Sequence, residues 1–129
     1  MSFKTSIILC TYNEAKYLEN TISKLEKNIP NLEIIIVDDN STDGTVEIIK
    51  RLNHNNKYKV VLRKKSRSLA SAFVRGIIET TGDYIGWVDT NMEELAPRFN
   101  EMISELESGN DLITLSRFIK GGGDERILI

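Results

Sequence analysis

Ile34-Ile35-Ile36-Val37-Asp38-Asp39-Asn40-Ser41-Thr42-Asp43-Gly44-Thr45 is the stretch that decides the fold. Residues 34–37 run without a polar break, which predicts a strand buried on both faces, as in a parallel sheet covered by helices. Two carboxylates follow at once, then the turn-forming residues 40–44, then an amphipathic pattern from Thr45. A strand that ends in acid and breaks into a helix puts those acids at the carboxyl edge of the sheet. In open α/β sheets ligands bind at that edge.

The same alternation extends to both sides. Residues 6–10 are an apolar run, the expected first strand. Ala15, Leu18, Ile22, Leu25 and Ile29 then recur at three- and four-residue steps, an amphipathic stripe that Pro30 and Asn31 stop. Val46, Ile49 and Leu52 mark a second helix, and residues 60–62 a third strand. Leu69, Ala72, Phe73, Gly76, Ile77 and Thr80 give a third helix, with Gly82 as its expected C′ residue. Residues 84–88 read as a fourth strand ending at Asp89. Leu95, Phe99, Met102, Ile103 and Leu106 make a fourth helix, with Gly109 after it, and residues 112–115 read as a fifth strand. This spacing predicts one three-layer α/β/α domain over residues 1–129, with a mostly parallel sheet. Right-handed crossovers place every strand's carboxyl end on one edge. Four polar clusters, residues 11–14, 38–43, 63–67 and 89–93, therefore converge there.

A chain of 129 residues can bury one real core, and 40% hydrophobic with 28% charged residues is ordinary for a globular protein. The net charge of -2 gives no basic field for nucleic acid, so none is expected as a partner. With one cysteine, Cys10, no intrachain disulfide can form. Its place in an apolar strand suggests a buried thiol in a reducing compartment. No signal peptide is expected, and no run approaches the roughly 18 apolar residues of a membrane span. The expected location is cytoplasmic, with peripheral contact at the cytoplasmic face of a membrane left open.

Each cluster has a plain and a chemical reading. Thr11-Tyr12-Asn13-Glu14 matches a capping box, or else sets Tyr12 beside a base or sugar and Glu14 near a ribose hydroxyl. Asp43 is the better N-cap for the second helix, which leaves Asp38 and Asp39 unexplained. Adjacent carboxylates repel, so they want a metal, a basic partner or a ligand rich in hydroxyl and N–H groups, such as a nucleoside. Arg63-Lys64-Lys65-Ser66-Arg67 is a solvated loop or a phosphate contact. Asp89, Asn91 and Glu93 offer three oxygen-bearing side chains at alternate positions, which suits Mg²⁺ or Mn²⁺ holding a diphosphate. Asn91 as N-cap, with Glu94 at N3, is the plain reading and is compatible with it. His54, in a polar loop, reads as solvated.

Taken together, T-Y-N-E, then V-D-D-N-S-T-D-G-T, then a D-x-D-like site after a strand resembles the nucleotide-sugar-binding half of family 2 glycosyltransferases of the GT-A fold. The segment Ser116-Arg117-Phe118-Ile119-Lys120-Gly121-Gly122-Gly123 is similar to that of dolichol-phosphate mannose synthases and related polyprenyl-phosphate sugar transferases. The resemblance implies metal-assisted, inverting transfer of a hexose, mannose from GDP-mannose first, to a polyprenyl (dolichyl) phosphate at a membrane surface. It implies that Thr11, Tyr12, Glu14, Asp38 and Asp39 line the nucleotide pocket, with Asp39 on the base. Asp89, Asn91 and Glu93 would carry the metal, Asp89 acting electrostatically in catalysis, and Arg117 would reach the donor phosphate or sugar. Asn91 stands where the family usually has a second Asp, so weaker metal binding is expected, partly offset by Glu93. Family members also continue past the glycine run, so a partner or a further segment would complete the site. Two rivals follow. One is a nucleotide-sugar-binding module without turnover. The other is a phosphoacceptor receiver domain, to which V-D-D-N is similar, although no Asp closes residues 60–62.

Overall fold

The computed structural model describes residues 2–65 and 67–116, without the side chain of Glu93. Four strands, β1 (Thr5–Thr11), β2 (Leu32–Asp38), β3 (Lys59–Leu62) and β4 (Tyr84–Trp87), alternate with α1 (Leu18–Asn28), α2 (Thr45–Leu52) and α3 (Leu69–Glu79). A 3-10 segment, Glu93–Arg98, leads into α4 (Phe99–Glu107). The sheet has the order β3-β2-β1-β4, and every pairing is parallel.

Successive strand residues point to opposite faces. Ile7, Leu9, Ile34 and Ile36 therefore share one face, where they pack with Leu18, Ile22, Leu25, Ile49 and Phe99 from α1, α2 and α4. Ile8, Ile35 and Val37 share the other, against Ala72 and Phe73 of α3. This is the three-layer arrangement. The layer of α3 closes on the sheet at Gly76, where a Cβ would lie 2.6 Å from Ile8 Cγ2 and 3.3 Å from Val37 Cγ2.

The amino edge is fastened by Glu33. Its carboxylate accepts from Ser6 Oγ (2.5 Å), Thr81 N (2.9 Å) and Thr81 Oγ1 (2.8 Å). It also pairs with Lys4 Nζ at 3.2 Å and Lys59 Nζ at 3.0 Å. Burial works to raise the Glu33 pKa, but the bonds from Ser6, Thr81 and Lys59 outweigh it and hold the carboxyl well below the usual range.

Several local expectations fail for physical reasons. The capping box at residues 11–14 caps nothing: α1 starts at Leu18 with no side-chain cap, and the Glu14 carbonyl accepts from both Tyr17 N and Leu18 N. Gly82 is not the C′ residue of α3, which ends at Glu79 with Thr80 as C-cap. It is needed for close approach, since a Cβ there would lie 2.6 Å from Ser6 Oγ. Asn91 does not cap the fourth helix. Pro97 lacks an N–H and restricts the residue before it, so the chain runs as 3-10 before the α-helix starts at Phe99. Residues 112–115 join no ladder among the described residues, so the fifth strand is absent there. Apolar, β-prone residues make a strand only with a hydrogen-bonding partner.

Candidate functional site

The carboxyl ends of the strands carry the clusters, as the topology requires. Thr11 and Asp38 are register partners at the ends of β1 and β2. Asp38 is fully buried, and its own loop satisfies it. Its Oδ1 accepts from Thr11 Oγ1 (2.7 Å) and Ser41 Oγ (2.6 Å), and its Oδ2 from Ser41 N (3.0 Å). Asp38 is thus held by its own loop and by Thr11, with both oxygens engaged. Asp43 accepts from Thr45 N at 3.1 Å and from Ala15 N at 3.2 Å, so it ties the loop after β1 to the start of α2. The N-cap position itself is Gly44, at φ 98°, a left-handed conformation that glycine adopts without strain.

Asn13 is a residue that sequence reasoning passed over. Its N–H donates to Ser41 Oγ (2.9 Å) and its Oδ1 accepts from Thr42 N (2.9 Å), stitching the loops after β1 and β2 together. Its residue type is the signal that could have found it, because Asn tolerates the left-handed region better than most residues, and its φ is 54°. Between these loops Tyr12 stands exposed, and Glu14 donates its N–H to Thr45 Oγ1 at 2.9 Å.

The repulsion between Asp38 and Asp39 is relieved inside the chain. Arg63, just past β3, forks Asp39, with Nε on Oδ1 at 2.6 Å and Nη2 on Oδ2 at 2.8 Å. Both side chains are nearly buried, 13% and 6% exposed. Of the basic run, Arg63 therefore meets a carboxylate rather than a phosphate. Arg67 lies over the ring of Tyr12, 3.8 Å from its centroid.

Asp89 lies in the tight turn after β4, where Met92 N donates to its carbonyl at 3.1 Å, and Asn91 is exposed on the same turn. The turn is pinned to α1, because Thr21 Oγ1 donates to the buried Thr90 carbonyl. The Thr90 hydroxyl is buried and has no partner among the described residues. Burial pushes the Cys10 thiol up to about 11, with Asp39 and Asp89 adding to the rise and Arg63 opposing it. A cleft of about 780 Å³ follows the free edge of β4 and reaches Asp89. Arg117 lies outside the described residues, as does the side chain of Glu93.

The profile of Glycosyl transferase family 2 matches residues 6–128. The chain belongs to glycosyl transferase family 2. That removes the receiver-domain rival. A dolichol-phosphate mannosyltransferase of Pyrococcus furiosus is 35% identical over 121 residues, covering 92% of this chain and 34% of that protein. A cholesterol galactosyltransferase of Borreliella burgdorferi is 25% identical over 117 residues, covering 90% and 33%. Among solved structures, the mannosyltransferase PcManGT of Pyrobaculum calidifontis, in complex with GDP-Man and Mn²⁺, superposes with a TM-score of 0.62 at 26% identity, covering 70% of this chain and 28% of that one. The chain thus spans about a third of the length of the curated relatives it matches. The fold is that of the GT-A glycosyltransferases.

Asp89 and Asn91, on the turn after β4, are the described residues expected from the sequence to hold a divalent ion. No group of three or more His, Cys, Asp or Glu that could hold an ion exists among the described residues. Asp89 and Asn91 do supply oxygen donors only. That fits a hard ion taking one or two protein ligands and the rest from phosphate and water, as Mg²⁺ commonly does.

Proposed function

We propose that the carboxyl edge of the sheet is the donor site of a hexosyltransferase that moves a sugar from a nucleoside diphosphate to a polyprenyl phosphate. The observation that carries this reading is the parallel pairing of β1 with β2 and β4, which sets Tyr12, Asp39 and Asp89 just past three strand ends on one edge of the sheet, in a family 2 chain. Tyr12 offers a ring face to the base, Asp39 an acceptor for a base N–H, and Glu14 a carboxylate toward the ribose. Asp38, Ser41 and Asn13 hold these loops in place. Asp89 and Asn91 would hold a Mg²⁺ or Mn²⁺ ion, which when bound neutralises charge developing on the leaving diphosphate. The chain, residues 1–129, acts as a single nucleotide-sugar-binding domain, and Arg117 is assigned to the donor phosphate or sugar.

A phosphate-monoester acceptor is mostly dianionic at neutral pH, with a second pKa of about 6, so in-line, inverting attack needs little help from a general base. The two mannosyltransferase relatives support mannose as the first sugar to assay, and a polyprenyl acceptor places the work at a membrane surface. Titration calorimetry with a nucleoside diphosphate, with and without Mn²⁺, tests the reading. Binding should tighten with Mn²⁺, and Asp89→Ala should lose that gain by more than the roughly 10–100-fold typical of an outer-shell partner. Equal metal dependence in the variant defeats the assignment of Asp89.

A second reading, a binding module without turnover, is favoured by Asn91, which gives the turn after β4 one carboxylate fewer than a second Asp would. Assay of the chain alone with GDP-mannose and a polyprenyl phosphate separates the two. Product means an enzyme, and binding without product means a module.

A further inference from the structure

Thr21 is a polar residue in a core position. It lies on the buried stripe of α1 with Leu18, Ile22 and Leu25, where an aliphatic residue would serve the packing as well. A threonine inside a helix usually turns its hydroxyl to solvent or back to the carbonyl one turn earlier. Here the Thr21 N–H makes the ordinary helical bond to the Tyr17 carbonyl at 3.0 Å, and the hydroxyl crosses to the Thr90 carbonyl in the turn after β4. That carbonyl belongs to the peptide between Thr90 and Asn91. A peptide is planar, so directing its oxygen also directs the N–H and Cα of Asn91. The preceding carbonyl, of Asp89, accepts from Met92 N at 3.1 Å inside the turn. The two bonds together orient the backbone from which the Asp89 and Asn91 side chains project. Val88 and Met92 pack against the core and seat the turn, but apolar packing is non-directional and does not choose the rotation of that peptide. Thr90 is buried, so without Thr21 its carbonyl would be an unpaired buried acceptor, which drives the peptide to turn toward another donor.

We infer that Thr21 is a positioning residue for the divalent ion: through the Thr90 carbonyl it holds Asp89 and Asn91 in the orientation that takes the ion together with the diphosphate. This rests on the reading of Asp89 and Asn91 as the ion's ligands. An ion held by one or two protein ligands has little redundancy, so a rotation of the peptide between them falls directly on its affinity. Thr21 touches neither ion nor nucleotide and acts only through the turn. Its effect therefore belongs to the metal-dependent part of nucleotide binding and not to the rest.

The test is calorimetric titration with UDP and with GDP, each with and without Mn²⁺, for the wild type, Thr21→Val and Thr21→Ser. Valine keeps the branched shape and removes the donor, and serine keeps the donor. Thr21→Val should bind nucleotide without metal as the wild type does, and should lose roughly tenfold of the gain that Mn²⁺ brings, the low end for an outer-shell partner. Thr21→Ser should retain most of that gain. An undiminished gain in Thr21→Val overturns the inference. So does an equal loss with and without Mn²⁺, which is a general loosening, or a loss in Thr21→Ser as large as in Thr21→Val, which is a matter of shape. Should Thr21→Val not fold, Thr21→Ala, which favours the helix, carries the same expectation. A wild type whose affinity Mn²⁺ leaves unchanged defeats the ion site itself, and the role of Thr21 falls with it.

Discussion

Asp38 and Asp39 are neighbours in sequence with different fates. Asp38 is consumed by its own loop, and Asp39 is held at the surface of the site by Arg63. The acids were legible in the sequence; their distant partners were not, because Thr11 and Arg63 lie 27 and 24 residues away from them. The same distance in sequence hid the contact of Arg67 with Tyr12. A Tyr12→Ala change should weaken nucleoside diphosphate binding by about 1–3 kcal/mol, the usual worth of stacking a base on an aromatic ring. Tyr12→Phe should keep most of the affinity. Calorimetry checks both, and an unchanged affinity in Tyr12→Ala removes the ring from the site.

At the scale of the element, four strands and four helices were readable from periodicity, since Ile34, Ile35, Ile36 and Val37 and the stripe from Leu18 to Leu25 answer to local rules. What was not readable were the ends. The loop between β1 and α1 spends its capping residues on tertiary bonds to Asp38 and Thr45, and Pro97 delays α4. Residues 112–115 have a strand's composition without a ladder partner among the described residues. Gly76 is where α3 meets β1, so Gly76→Ala should cost about 1–3 kcal/mol by overpacking against Ile8. A chemical denaturation midpoint unchanged from wild type would show that the layers can separate at no cost.

Glu33 joins β1, β2 and the turn after α3, and its folded pKa is held below its unfolded value of about 4.3. A group depressed in this way contributes stability above its unfolded pKa. That contribution is lost as pH falls from about 4.3 toward the lower folded value. Stability should therefore drop in acid below about pH 4, and Glu33→Gln should be less stable at neutral pH and flatter across that window. Urea midpoints at neutral and acid pH check this. Parallel acid slopes in wild type and variant would place the sensitivity elsewhere.

For the whole molecule, topology does most of the functional work. Four parallel strands with helices on both faces bring the loops after β1, β2, β3 and β4 to one edge, the edge proposed here as the donor site. No described helix is long and apolar enough to cross a membrane. The claim that joins the residues into one device is that the ion and the nucleotide meet at Asp89. Paramagnetic broadening of amide resonances by Mn²⁺, with and without UDP, reads this directly. Broadening centred on residues 89–92, extending to residues 11–14 and appearing only with the diphosphate, is the predicted result. Broadening centred elsewhere, or the same with and without nucleotide, would contradict the account.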